Sequence, residues 1–198
     1  MSAENACAAG DAFRILPLAE VPECRDEAMK IYLDSFPENE QTDVSQLAAA
    51  LPPSMSFEEW ALVYDGRAVG YLIVLFTEDV AYFLHLAVAK ECRGKGFGSS
   101  AMKFLNERFA SHLVFFSVET PSEKAENQQQ RLARIRLYER MGYRISGIEI
   151  VESDTAGKEI SYSVMCRSTA DEKDIESIRA YITNNLLDVF DENAVIVG

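Results

Sequence analysis

The run Arg93-Gly94-Lys95-Gly96-Phe97-Gly98-Ser99 gathers glycines and cations where an apolar segment gives way to an amphipathic one. At the start of a helix the first backbone amides have no intrahelical acceptor, and the helix dipole makes that end electropositive. Glycine lets an anionic ligand approach such amides closely, and Arg93 and Lys95 add positive charge to the same turn. The chemistry on offer is phosphate binding, with a diphosphate as the natural guest. Short glycine clusters also serve as plain tight turns. A third reading is a dinucleotide-binding turn: Gly94-Lys95-Gly96 with Ser99 approximates GxGxx(G/A), and Glu119 falls about where a ribose-binding acid would stand.

The elements around the turn separate these readings. Residues 60–64 and 68–76 are rich in β-branched and aromatic side chains and flank Asp65-Gly66, a strong hairpin signal. Residues 80–88 continue as the third strand of an antiparallel meander, nearly all apolar, and lead directly into the glycines. Ala101, Met102, Leu105 and Phe109 mark one face of the following helix, and residues 113–118 read as another buried strand. A dinucleotide fold requires a parallel sheet from its first strand onward, so the meander argues against that reading.

Before the hairpin, residues 13–18 suit a short edge strand, since Pro17 cannot donate to a central ladder. Residues 22–35 carry Ala28, Ile31 and Tyr32 at helical spacing, and residues 45–51 form a second short helix closed by Pro52-Pro53. Beyond the fifth strand, Leu132, Ile135, Tyr138 and Met141 line a helix that follows the polar run 126–130 and ends at Gly142. Strands at 144–151 and 160–165 enclose a turn at 153–157. Ile175, Ile178, Ile182 and Leu186 place a last helix over 174–190, packed on the domain or on a second copy of the chain, with an apolar end at 194–197. The expected class is α/β (α+β), a mixed, mostly antiparallel central sheet flanked by helices with an extra C-terminal helix. Its organisation is a flexible N-terminus over 1–11, a main domain over 12–167, and a helical extension over 168–198 reached through a linker near 167–172.

The bulk composition narrows the partners. The chain of 198 residues, 48% hydrophobic and 26% charged, is long enough for one domain with an appendage. Its 32 acidic and 19 basic residues give a net charge of −13, a field that repels nucleic acid and favours cationic partners. Cys7, Cys24, Cys92 and Cys166 are scattered, with neither a CxxC pair nor a compact set of histidines, so no metal site is expected. Met1 to Ala12 lacks a basic region followed by an apolar stretch, and no apolar run is long enough to cross a bilayer. The expectation is a cytoplasmic protein with reduced thiols and no membrane partner.

The run from Leu86 to Ser99 resembles the coenzyme A motif of the GNAT (GCN5-related) N-acetyltransferases, whose core is (R/Q)-x-x-G-x-(G/A); Arg93, Gly96 and Gly98 fill those places. Leu137-Tyr138-Glu139-Arg140-Met141-Gly142-Tyr143 is similar to the family's L-Y-x-x-x-G-(F/Y) helix end, and the resemblance covers residues 13–167. It implies the GNAT acyl-CoA N-acyltransferase fold, acetyl-CoA as co-substrate, and a primary amine of a small molecule or peptide as acceptor. The amides of Gly94, Lys95, Gly96, Phe97, Gly98 and Ser99 would bind pyrophosphate beside Arg93, and the backbone of Leu86, Ala87 and Val88 would pair with pantetheine. Tyr138 would act as general acid at the thioester sulfur, with the Val88 amide facing the carbonyl oxygen at a strand bulge.

The base does not carry over. Many relatives place a glutamate two positions before the leucine of the Leu86-Ala87-Val88 run, where this chain has Leu84. Glu119 is the substitute, directly or through water, against the alternative of a merely solvated strand-end carboxylate. Phe36, Glu38 and Glu40 would give the acceptor an apolar wall and carboxylates, and Tyr82 lies on the strand beside the thioester; His85, on the opposite face by alternation, reads as a satisfied core histidine. Two rivals stand beside the active transferase: an acyl-CoA-binding module without catalysis and an NAD-dependent oxidoreductase. The last helix makes a homodimer a further expectation.

Overall fold

The computed structural model describes residues 13–123, 125, 127–153, 159–187 and 194–197. In chain order these form β1 (Arg14–Pro17), α1 (Arg25–Ser35), α2 (Val44–Ala50), β2 (Ser56–Tyr64), β3 (Arg67–Phe76), β4 (Val80–Val88), α3 (Phe97–Arg108), β5 (Leu113–Glu119), α4 (Gln128–Arg140), β6 (Tyr143–Ser153), β7 (Glu159–Arg167), α5 (Glu172–Tyr181) and β8 (Val195–Val197). The expected flexible segment 1–11, most of the turn 153–157 and the end of the helix expected to reach 190 lie outside the described residues. No helix among the described residues is long and apolar enough to cross a membrane. The chain divides into two units, one drawn from the described parts of Met1–Thr42, Phe57–Leu75 and Leu84–Ala110, the other from Asp43–Ser56, Phe76–Phe83 and Ser111–Gly198.

In the first unit the strands follow the order β1-β2-β3-β4. Pro17 is tolerated because β1 pairs only with β2, antiparallel, from Arg14↔Val63 to Pro17↔Trp60. Asp65 and Gly66 both take positive φ, 49° and 72°, as the tight two-residue turn between β2 and β3 requires. Ala28 and Tyr32 of α1 are buried, as are Phe97, Ala101, Met102 and Leu105 of α3, matching the apolar spacing read from the sequence. Trp60 stands edge-on to Phe104 and Phe109, with ring centroids 5.6 and 6.4 Å away.

Within the second unit, to which β4 contributes Val80–Phe83, the order is β4-β5-β7-β6-β8. β4 and β5 are parallel from Val80↔Leu113 to Tyr82↔Phe115, and β5 is antiparallel to β7 from Phe115↔Cys166 to Glu119↔Tyr162. β6 carries a register shift between Ile145 and Glu149, where Gly147 takes a φ of 92°. Successive strand residues point to opposite faces: Phe116 meets Tyr138 of α4 and Tyr143, whereas Phe115 meets Tyr181 of α5. The last helix therefore packs on the chain's own sheet.

The segment expected as a linker is tied down. Ser168 N donates to Gly142 O at 2.8 Å and Arg144 Nη2 to Ala170 O at 2.8 Å. Asp171 and Asp174 then close a reciprocal capping box, each side chain accepting from the other's amide at 3.0 Å.

Gly70 sits under a tight constraint that no local pattern announces. A Cβ there would stand 2.5 Å from the carbonyl oxygen of Ala87 and 2.9 Å from Leu62 Cδ2, so β3 meets the second half of β4 with no room for a side chain. Gly70→Ala is expected to cost about 1–3 kcal/mol through overpacking. Urea unfolding would show this as a lower midpoint at unchanged slope; an unaltered midpoint would disprove the close approach.

Candidate functional site

The glycine turn is held at both ends. Ala89 N donates to Val69 O at 2.9 Å, a short 3₁₀ turn spans Lys90–Cys92, and Arg93 Nε reaches back to Val88 O at 3.1 Å. Gly96, with a φ of 90°, forms the left-handed N-cap of α3, and no side chain caps the helix. The first helical bond runs from Ser100 N to Gly96 O at 2.9 Å, so the amides of Phe97, Gly98 and Ser99 precede the hydrogen-bond ladder. Gly94, Lys95 and Gly96 are exposed. Phe97 offers only its backbone, because its ring is buried against Phe13 and Tyr64 at 5.0 and 5.3 Å.

The glycines serve different ends. At Gly94 and Gly96 an added Cβ would meet nothing within 4 Å, and positive φ is what favours glycine. Gly98 has no such φ, and its Cβ would make only an ordinary 3.9 Å contact with Val88 Cγ2. Inside a helix glycine is about 1 kcal/mol worse than alanine. Among the described residues nothing calls for glycine at 98, and its lack of a side chain leaves the backbone there open to close approach.

On β4, Leu84, Leu86 and Val88 are half-buried and Ala87 is buried. His85 stands between Phe36 and Tyr32, with ring centroids 4.6 and 5.1 Å away, and its Nε2 lies 3.2 Å from Thr42 Oγ1. The Thr42 amide in turn donates to the Tyr32 hydroxyl at 2.6 Å. Burial holds the His85 imidazole down, to about 4, so the ring is neutral at pH 7. Phe36 thus forms a wall with a neutral histidine, and Glu38 beyond it is exposed.

The remaining candidates belong to the second unit. Tyr82 is buried, with its ring 4.9 Å from Phe115 and its hydroxyl 3.3 Å from Ser117 Oγ. Burial pushes its hydroxyl up to about 12, with the Ser117 hydrogen bond opposing and the Glu152 charge adding to the rise. Tyr138 is half-buried and stands edge-on to Phe116 at 4.6 Å. Burial raises its hydroxyl while the Arg134 guanidinium works the other way, so it stays a protonated donor at neutral pH.

Glu119 is not simply solvated. Arg131 Nη2 lies 2.6 Å from Oε1 and Arg134 Nη1 3.7 Å from Oε2, with Asn127 Nδ2 at 3.5 Å. Only 17% of the Glu119 side chain and 17% of the Arg131 side chain are exposed, so this pair is better shielded than an ordinary surface ion pair. Arg131 also donates to Thr120 O at 2.9 Å and to Asn127 Oδ1 at 2.7 Å, fastening the end of β5 to the start of α4. The sequence reading passed over these arginines, although their spacing of three on one helix places them on a common face.

Residues 23–143 match the model of the Acetyltransferase (GNAT) family. The chain belongs to that family. It is 38% identical over 80 residues to an uncharacterized N-acetyltransferase of Methanocaldococcus jannaschii, a match covering 40% of this chain and 48% of the relative. The matched region thus spans about half the length of that curated relative. Among solved structures, a GNAT-family protein of Bacteroides thetaiotaomicron superposes with a TM-score of 0.64 at 20% identity, over 86% of this chain and 95% of that one. An aminoglycoside 6′-N-acetyltransferase complexed with coenzyme A gives 0.56 at 16% identity, over 80% and 98%. At these identities the structural likeness is one of fold, and the fold is that of GNAT proteins.

The neutral His85 has a measurable consequence. Its folded value lies below the ordinary 6.5, so as pH falls from about 6.5 toward 4 the unfolded chain takes up a proton that the folded chain refuses, and stability drops across that window. NMR titration should find the His85 ring neutral until about pH 4. His85→Gln should remove that part of the pH dependence, and a ring titrating near 6.5 would contradict the enclosure described here.

Proposed function

We propose that the chain is an N-acetyltransferase, moving an acetyl group from acetyl-CoA to a primary amine of a small molecule or peptide by direct attack in a ternary complex. The observation that carries this reading is the uncapped start of α3, where exposed glycines precede amides outside the helical ladder and nothing among the described residues requires Gly98 to be glycine. Family membership and the coenzyme A held by a solved structure of like fold support it.

Acetyl-CoA supplies an acyl group already activated as a thioester. In this reading the amides of Phe97, Gly98 and Ser99, with those of the turn and the positive charge of Arg93 and Lys95, hold the pyrophosphate. The backbone of Leu86, Ala87 and Val88 holds pantetheine, and the Val88 amide donates to the carbonyl oxygen as negative charge develops there. Tyr138, kept protonated by burial, gives its proton to the departing sulfur. Phe36, Glu38, Glu40 and Tyr82 receive the amine, the carboxylates suiting a cationic acceptor.

Glu119 is the proposed base, acting through water. Its ties to Arg131 and Arg134 allow a role as anchor for α4 instead, and Glu119→Gln separates the two. A base loses kcat with an unchanged melting temperature, whereas an anchor loses melting temperature first. The missing carboxylate at Leu84 favours one second reading, an acyl-CoA-binding module without turnover; thiol release with an amine panel distinguishes it from the transferase.

Gly98→Ala should leave the fold intact while weakening acetyl-CoA binding about tenfold or more, about 1.4 kcal/mol. Calorimetry reads the affinity, and thermal shift with acetyl-CoA set against NAD reads the ligand class, since a ligand of the native state raises apparent stability. Tight binding by the alanine variant, or stabilisation by NAD alone, would defeat the reading. Tyr138→Phe should lower kcat by about a hundredfold with little change in acetyl-CoA KM, and undiminished turnover would remove Tyr138 from the role.

A further inference from the structure

The buried hydroxyl of Tyr181, in the second unit, has no hydrogen-bond partner among the described residues. Tyr181, the last residue of α5, is 6% exposed, and its ring stands edge-on to Phe115 at 5.6 Å. A phenylalanine would fill the same space without burying an unsatisfied hydroxyl. Burial and the neighbouring Tyr82 keep the group in its neutral form, able both to donate and to accept.

The helix changes its winding at the same place. Ile182–Leu186 form a π turn directly after Tyr181, with Asn185 Nδ2 donating to Tyr181 O at 3.1 Å and Thr183 Oγ1 to Arg179 O at 2.9 Å. Such wide turns are rare and concentrate at functional sites. Below Tyr181, Tyr82 and Phe115 are register partners, and Ser117 is two residues further on, so all three project from one face. Phe116 projects to the other face, where Tyr138 lies against it. Tyr181 and Tyr138 therefore stand over opposite faces of β5.

We propose that Tyr181, with Tyr82 and Ser117, forms a hydrogen-bonding subsite for the amine acceptor on the face of β5 opposite Tyr138. It takes a hydroxyl, amide or ammonium group of the acceptor, since neutral hydroxyls both donate and accept. This rests on the acetyl-transfer reading above. The extra C-terminal helix then determines acceptor specificity through Tyr181.

The test is Tyr181→Phe against the wild-type chain, by thiol release with spermidine, tobramycin and an alanine tripeptide amide, and by thermal unfolding. The variant should melt at or above the wild-type temperature and keep its acetyl-CoA KM. The KM of the best acceptor should rise roughly three- to tenfold, with kcat changed by no more than about twofold. Tyr82→Phe should raise the same KM. An unaltered acceptor KM in Tyr181→Phe overturns the proposal, as does a joint rise of both KM values with a lower melting temperature, which marks a purely structural hydroxyl. A wild-type chain that releases no thiol with any acceptor removes the acetyl-transfer reading and this inference with it, whereas an active wild type with a kinetically identical Tyr181→Phe removes this inference alone.

Discussion

Amides that open a helix can be offered to a ligand only if the chain around them stays in place without using them. In α3 this is achieved by dividing the tasks among neighbours. Left-handed Gly96 begins the helix with no side chain of its own, so no N-cap hydroxyl or carboxylate takes up the first amide hydrogens. Phe97 supplies the anchor through its ring, buried against Phe13 and Tyr64. Arg93 fixes the other side by returning its Nε to Val88 O. The geometry depends on aromatic packing and one charged side chain, leaving the main-chain donors for a guest.

In the second unit the simplest property of a strand, alternation, separates two groups of tyrosines. Phe115 and Phe116 are consecutive, yet one supports Tyr181 and Tyr82 and the other supports Tyr138 and Tyr143. Every tyrosine among these four is raised by burial, so each is a neutral hydroxyl at physiological pH. What distinguishes them is their partners: Ser117 for Tyr82, the Arg134 charge near Tyr138, Arg167 for Tyr143, and none among the described residues for the hydroxyl of Tyr181.

Much of this was legible in the sequence because local patterns and global fold agree. Asp65-Gly66 fixed the hairpin, the apolar run of β4 was read to its observed ends, and the helical spacing of Ala101, Met102 and Leu105 gave the buried face of α3. The misses have a common cause. β2 begins at Ser56, ahead of the residues read as its start, because Ser56 to Glu59 lack an apolar run and are held by pairing. The ties of Glu119 to Arg131 and Arg134, and the contact of Gly70 with Ala87, arise between segments distant in sequence. Charge and glycine content announce such contacts only as a residue type, not as a partner.

Phe13 precedes the first strand, yet its ring is one side of the socket that seats Phe97. The margin of the domain is thus mechanically continuous with the helix start proposed to grip the acyl donor. Trimming the chain past this position, or crowding it with a fused sequence, would loosen the socket. Donor affinity would then respond to an alteration that in sequence looks like a harmless change of border.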